Sequence, residues 1–408
     1  MSDRGTAALA ARLDAAVRAR PRARPLRETV AALAAAAARW RADAALAAAL
    51  PAATQLSPQM VAAAMSIAAE AFDPGAMTAL VERELGAGAA SRPAPDGPAL
   101  VAHVLASNVP ALALPAVAHA CLVGAAVLVK SGRDDPLSAP AFQRALEAVD
   151  PALAATVVTA YWPGGDAERE DALFRRADVL VVTGSDRTLT ALGAGPFGDV
   201  VAHGPRMSVA LVGRRALAHP DRVAEALALD VALHDQRGCL SPHAVYVETG
   251  GRVEPRAFAE RVAAALDTVR ARLPAGARDV GDRARIGLAA TEAEWLPGVA
   301  AFARPGGLVI YEPSARLRPT CGLRTIRVHP LSGPQELAPL LGEGMVECVG
   351  LAGVDPAPLV EALRERGVSR ICPVGRMQRP SLSWPRGQHA PLGVLRGDRD
   401  ARHVEVET

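Results

Sequence analysis

The densest chemistry in this chain is His234-Asp235-Gln236-Arg237-Gly238-Cys239-Leu240-Ser241-Pro242-His243, a polar loop between an apolar-periodic segment and a strand-like run, Ala244 to Glu248. A free thiol with a pKa of about 8.5 is only partly thiolate at neutral pH. A nucleophilic cysteine therefore needs cations, a base or backbone N–H groups around it. Arg237 lies two residues before Cys239, and His234 and His243 flank it. Gly238 lets the backbone approach closely and leaves the Cys239 N–H free to donate. Cys239 is thus expected to be a nucleophile that takes an acyl group as a thioester. His234, Cys239 and His243 could also ligate a metal, but one short loop does not fix the tetrahedral geometry of a structural site, and no metal is expected. A Cys–His pair remains a further reading, with no orienting partner to name.

Three other polar loops follow strand-like runs. Ser107-Asn108-Val109-Pro110 offers the side-chain amide of Asn108 as a donor to a developing oxyanion; a turn-capping role explains the same residue. Lys130-Ser131-Gly132-Arg133 contains the single lysine among 45 basic residues. Where composition otherwise favours arginine so strongly, a retained lysine suggests a site for a compact ammonium. It is a candidate for a ribose hydroxyl or a phosphate, with Arg133 as a second cation. No Glu directly follows that strand to repel a 2′-phosphate, so NADPH is favoured over NADH. Gly184-Ser185-Asp186 opens a helix, a place for pyrophosphate, although helix capping accounts equally for Ser185 and Asp186.

These loops need a scaffold, and the apolar periods supply one. Residues 1–90 read as helices, with Leu56-Ser57-Pro58 as a helix start. Beyond them, short apolar runs at Ala99–Leu105, Ala126–Val129, Ala155–Tyr161 and Asp178–Val182 alternate with helical segments. The expected fold class is α/β: two α/β domains, one with a parallel Rossmann-like cofactor sheet and one bearing the cysteine. The expected division is a helical segment over 1–90, a cofactor domain over 91–213, a catalytic domain over 214–375 and a tail over 376–408. Val394-Leu395-Arg396 in the tail is a candidate last strand. No G-x-G-x-x-G is present, which disfavours an ordinary Rossmann dehydrogenase.

At 408 residues the chain exceeds one ordinary core. Its net charge of +2, without a basic tract interleaved with aromatics, gives no support to nucleic-acid binding. The five cysteines lie far apart, with no C-x-x-C pair, which fits a reducing compartment. No apolar run reaches transmembrane length without a charge or proline. The Ala- and Arg-rich N-terminus lacks a secretory core, and a cytoplasmic location is expected.

With these loops in this order, the chain resembles the aldehyde dehydrogenase superfamily, and within it the bioluminescence-type long-chain fatty acyl-CoA reductases. The resemblance rests on Leu56-Ser57-Pro58-Gln59-Met60-Val61, Glu84-Leu85-Gly86, Ser107-Asn108-Val109-Pro110, Val129-Lys130-Ser131, Thr183-Gly184-Ser185-Asp186, Asp235-Gln236 ahead of Cys239-Leu240-Ser241-Pro242-His243, Gly375-Arg376-Met377 and the tail from Trp384 to Arg396. It implies Cys239 as nucleophile, Asn108 with the Cys239 N–H as oxyanion hole, Lys130 at a ribose, and Gly184-Ser185 before a phosphate-contacting helix. It implies an acyl-CoA or acyl-carrier-protein thioester as substrate, with a further acyl-transferring protein a potential partner, and a homo-oligomer formed by strand exchange. Aldehyde oxidisers carry a water-activating glutamate in an E-L-G-G-K-like segment; the stretch here, Ala202-His203-Gly204-Pro205-Arg206, has no acid. Reduction of a thioester to aldehyde is therefore expected, not oxidation to acid. The superfamily's glutamate for the nicotinamide ribose has no counterpart near Thr320-Cys321-Gly322, and Trp-Asp-Gly reads Trp384-Pro385-Arg386-Gly387. A non-acylating aldehyde dehydrogenase and a cofactor-free cysteine acyltransferase remain as rivals.

Overall fold

The computed structural model describes residues 2–193 and 195–407. Five helices come first: Ser2–Arg18, Leu26–Arg41, Ala44–Thr54, Pro58–Glu70 and Pro74–Leu85. Their starts are written in capping side chains. Asp43, Ser57 and Asp73 accept from the N–H groups of Leu46, Met60 and Ala76 at 2.9, 3.2 and 2.8 Å.

The first sheet contains β1 (Leu100–Val104), β2 (Ala126–Lys130), β3 (Val157–Ala160), β4 (Val179–Thr183) and β5 (Asp199–His203). Its order is β3-β2-β1-β4-β5, and every pairing is parallel. β1, β2 and β4 are buried throughout. Alternate residues of β1 feed two cores: Val101 joins the cluster beneath the N-terminal helices, while Leu100, Ala102 and Val104 join the opposite face. Strand order reverses at β1, so the crevice beyond the carboxyl ends of β1 and β4 is the expected ligand position of such a sheet. The loops containing Asn108 and Gly184 leave from those two ends.

The second sheet contains β6 (Met207–Val212), β7 (Pro242–Glu248), β8 (Ala300–Arg304), β9 (Gly307–Tyr311), β10 (Thr325–Leu331), β11 (Val346–Ala352), β12 (Arg370–Pro373) and β13 (Glu405–Val406). The order is β13-β12-β11-β6-β7-β10-β9-β8, with only β8 antiparallel to its neighbour. The cysteine loop leads into β7, and β6 and β10 lie on either side of that strand.

Three local expectations differ from what is observed. β6, read as part of a cofactor unit ending at residue 213, pairs instead with β7 and β11 in the second sheet. Its mostly apolar run marks a buried parallel strand but does not say which sheet buries it. Val394-Leu395-Arg396 forms a 3-10 turn, not a strand. The last strand is β13, paired in cis with β12 and held by Arg370, which donates to Glu405 and Glu407 at 2.8 and 2.5 Å. The helix Val280–Trp295 and strand β8 were not foreseen.

The loops after β1 and β2 touch at Gly132. A Cβ there would lie 2.7 Å from Ser107 Cβ and 2.9 Å from Ser107 N. Gly132→Ala should therefore cost about 1–3 kcal/mol through overpacking and lower the thermal midpoint in a circular-dichroism melt. Gly164→Ala, whose Cβ meets nothing within 4 Å, serves as a control that should melt like the parent.

Candidate active site

The cysteine loop is bent by an unusual backbone. His234, Asp235 and Gln236 have φ of 54°, 50° and 62°. Consecutive non-glycine residues in the left-handed region cost about 1–3 kcal/mol each and persist only where surroundings impose them. A second left-handed run, Gly322, Leu323 and Arg324 with φ of 68°, 58° and 65°, precedes β10, and side chains tie the two together. Arg324 Nε donates to Asp235 Oδ1 at 2.8 Å, with side-chain exposures of 0% and 3%. Asp235 Oδ2 accepts from Gly276 N at 2.8 Å. Gln236 Nε2 donates to the carbonyls of Thr325 and Pro242, and its Oε1 accepts from Thr325 N, all at 2.7–2.8 Å.

Cys239 follows this bend and is half-buried. Its carbonyl accepts from Ser208 Oγ on β6 at 2.7 Å. Asn108 arrives from the other sheet and donates through Nδ2 to Arg237 O at 2.7 Å. Gly238 keeps this side narrow: a Cβ would meet Val109 Cγ2 at 3.2 Å and Gln378 Oε1 at 3.5 Å. Gln378 is itself fixed by donating to Ser241 Oγ at 2.6 Å. Asn108 thus meets the cysteine loop two residues before Cys239.

The electrostatics differ from the sequence expectation. Burial pushes the Cys239 thiol up; Arg386 and Arg206 oppose that shift, and Glu347 adds to it. The groups near it in sequence are directed elsewhere. Arg237 Nη1 donates to Thr54 O at 2.9 Å, and His243 Nδ1 pairs with Thr320 Oγ1 at 2.8 Å. Burial holds both His234 and His243 down at about 4, so neither supplies a cation at neutral pH. Arg206, Glu347 and Arg386 were missed because they come from after β5, from β11 and from the tail. Glu347 is 2% exposed, pairs with Arg206 at 3.3 Å and accepts from Gly387 N at 3.0 Å. Arg386 donates to Thr183 Oγ1 at 3.1 Å, which places the tail at the end of β4.

On the cofactor side, Lys130 ends β2, is 7% exposed and holds its ammonium 5.1 Å above the Trp162 ring centroid. Burial lowers its pKa and Glu170 opposes this. Ser131 Oγ and Trp162 Nε1 are buried and have no hydrogen-bond partner among the described residues. Buried polar atoms of this kind call for a partner, and hydroxyls of a ribose match them. Arg133 is exposed beside them. Gly184 packs against Thr188, to whose backbone N–H Ser185 Oγ lies at 3.4 Å, opening the helix Asp186–Gly193. Among the described residues, no group of three or more His, Cys, Asp or Glu could hold a metal ion.

A cavity of about 220 Å³ lies against the cysteine loop. The β1/β4/β5 face and the helices Pro58–Glu70 and Ala113–Leu122 form its walls, and the tail covers it. Phe72, Val109, Ala116 and Leu382 make it mostly apolar, while Trp384 and Arg386 stand at the tail side. Burial holds the lining histidines His103 and His119 down at about 3 and 4, so both are neutral at pH 7. Val109 and Gln378 belong both to this lining and to the surroundings of Gly238.

Removing one partner of a buried ion pair strands the other charge, at a cost of about 3–5 kcal/mol. Asp235→Ala should therefore destabilise the fold by that order in chemical denaturation, and the more exposed Glu225→Ala should change it little.

The profile of the acyl-CoA reductase (LuxC) family matches residues 22–390. The chain is 24% identical over 282 residues to a long-chain acyl-protein thioester reductase of Aliivibrio fischeri, covering 67% of this chain and 57% of that one. It is 24% identical over 290 residues to long-chain acyl-protein thioester reductase 2 of Photobacterium leiognathi, covering 67% and 58%. It thus spans under two-thirds of the length of these curated relatives. Solved structures share the fold: aldehyde dehydrogenase 21 of Physcomitrella patens superimposes with a TM-score of 0.72 at 17% identity, over 95% of this chain and 87% of that one. An NAD-dependent benzaldehyde dehydrogenase of Corynebacterium glutamicum does so with 0.67 at 17% identity, over 90% and 85%. The two α/β units are those of an aldehyde-dehydrogenase-like fold, and this chain belongs to the acyl-CoA reductase (LuxC) family.

Proposed function

We propose that this protein reduces a fatty-acyl thioester, carried by CoA or a carrier protein, to the aldehyde through an acyl group held on Cys239, with NADPH as reductant. The observation that supports it most is the placement of Asn108, whose amide reaches the cysteine loop 2.7 Å from Arg237 O. A side-chain amide bears two N–H groups, so one can hold the loop while the other faces an oxyanion.

In the first step, Cys239 thiolate attacks the thioester carbonyl. The oxyanion is met by the Asn108 amide and the Cys239 N–H, and the carrier thiolate leaves with the electron pair of the broken C–S bond. The apolar cavity beside Val109 and Gln378 accommodates an alkyl chain without charge. Lys130, Ser131 and Arg133 at the end of β2, and Gly184 and Ser185 at the end of β4, are the residues that would hold the dinucleotide. When bound, it supplies the hydride that turns the acyl group into an aldehyde. The names of the relatives, long-chain acyl-protein thioester reductases, support the substrate class.

Hydrolysis of the acyl-enzyme needs a base for water. The stretch Ala202–Arg206 carries no acid. Glu347, which acts electrostatically on Cys239, is committed to Arg206 and Gly387 N. Aldehyde-to-acid turnover should therefore be slow.

The test follows 340-nm absorbance with a panel of acyl-CoA and acyl-carrier-protein thioesters. The parent should consume NADPH and Cys239→Ala should not. Asn108→Ala should lower kcat by about a hundredfold or more, the usual loss for one oxyanion donor. Because burial raises the thiol above its ordinary pKa, the thiolate fraction is small at neutrality, and acylation should climb as pH rises from neutral into the alkaline range. Acid formation without a thiol carrier would favour an aldehyde oxidiser, and acyl transfer undiminished without NADPH a transferase.

Lys130→Met should raise the KM for NADPH at least about tenfold, as expected for a lost charge-assisted contact, while leaving Cys239 acylation by a thioester intact. An unchanged cofactor KM would remove Lys130 from the cofactor site.

A further inference from the structure

The helix Val280–Trp295 shows an inversion of the usual pattern. Ile286, Ala289, Ala290 and Ala293 pack onto β8 and β9. The opposite face, which ought to be charged, is apolar and open. Val280, Leu288 and Trp295 are 74%, 70% and 83% exposed, and Ala284 and Thr291 between them are exposed as well. At 3.6 residues per turn these five fall within an arc of about 80°, and the two remaining positions along that face are glycines. No charged side chain interrupts it. A contiguous exposed face with an open tryptophan marks an interaction surface.

The charges at its borders say what fits. One border carries Arg285 and Glu292, the other Arg283 and Glu294. On each, the cation lies in the N-terminal half and the carboxylate in the C-terminal half. Both pairs are centred on the same point, between Leu288 and Ala289. A two-fold axis through that point, perpendicular to the helix, lays a second copy antiparallel on the face. It maps each border onto itself with the direction reversed. Arg285 then stands opposite Glu292 of the partner subunit, and Arg283 opposite Glu294 of the partner subunit. Leu288 meets its symmetry mate at the centre, and the glycines and Ala284 leave room for close approach. The existing ties of these side chains are compatible with this: Arg285 to Asp282 at 2.5 Å and Glu292 to Arg318 at 3.2 Å leave exposures of 61% and 49%.

We infer that the helix Val280–Trp295 is the contact of an isologous homodimer, paired antiparallel with the same helix of a second copy. Two-fold pairing is the commonest way for a self-complementary patch to close. This interface is independent of β13, whose hydrogen bonds are made within the chain, and of the chemistry at Cys239.

The test is sedimentation equilibrium of the full chain over a wide range of protein concentration. The parent should be a dimer and Leu288→Asp a monomer with an unchanged circular-dichroism spectrum, since Leu288 contributes little to its own fold. Arg285→Glu should weaken the dimer at least about tenfold by setting like charges opposite each other. Adding Glu292→Arg to the same chain should restore it, because the swapped pair is again complementary. A parent that stays monomeric, or a dimer indifferent to Leu288→Asp, would overturn the proposal and leave the face to a different protein. Failure of the double reversal to restore association would overturn the antiparallel register.

Discussion

The buried pair between Asp235 and Arg324 ties the bend ahead of Cys239 to the turn ahead of β10. Two stretches of backbone turn into the left-handed region opposite one another, one ahead of the cysteine and one ahead of β10. Neither is stable by itself, because non-glycine residues there clash with their own carbonyls. Each is held by the side chains of the other: the carboxylate by the guanidinium, and the Gln236 amide by the backbone of Thr325. The strain is local and the compensation is tertiary. Cys239 follows this bend directly, and Asn108 is held against the same loop through Arg237 O.

The electrostatic setting follows from the same enclosure. Burial that positions the sulfur also raises its pKa, and the cations that oppose this come from distant strands and the tail. Arg386 links the end of β4 to the sulfur's surroundings, so the segment covering the cavity also contributes charge. Arg206 both opposes the rise of the thiol pKa and occupies the nearby carboxylate of Glu347. The result is a thiol on a loop that borders an apolar compartment, with the Glu347 carboxylate held by Arg206 and by Gly387 N.

Much of this was legible in the sequence, and the reason is locality. That Asn108, Lys130 and Ser185 lie at one edge of a sheet was legible because each ends a strand-like run, and a parallel sheet collects such ends. Cys239 stood out through its glycine and its polar loop. What adjacency suggested about its activation was misleading: Arg237, His234 and His243 sit beside it in sequence and point to Thr54, a buried pocket and Thr320. Arg386 and Glu347 could not be found from the sequence, since their nearness to the sulfur depends on how β11 and the tail close over the second sheet. β6 fell in the other unit because a near-continuous apolar run reads the same in either parallel sheet. The helix Val280–Trp295 escaped notice because it is apolar on both faces and contains glycine, which blurs the helical period.

The central claim is that Cys239 carries the acyl group and surrenders it to a reduced dinucleotide. Intact-protein and peptide mass spectrometry after mixing with a long-chain acyl thioester measures this directly. The account predicts an acyl mass on the peptide containing Cys239, absent in Cys239→Ala, that disappears on addition of NADPH with release of aldehyde. A protein that stays unmodified there, or an adduct that persists in the presence of NADPH, would contradict it.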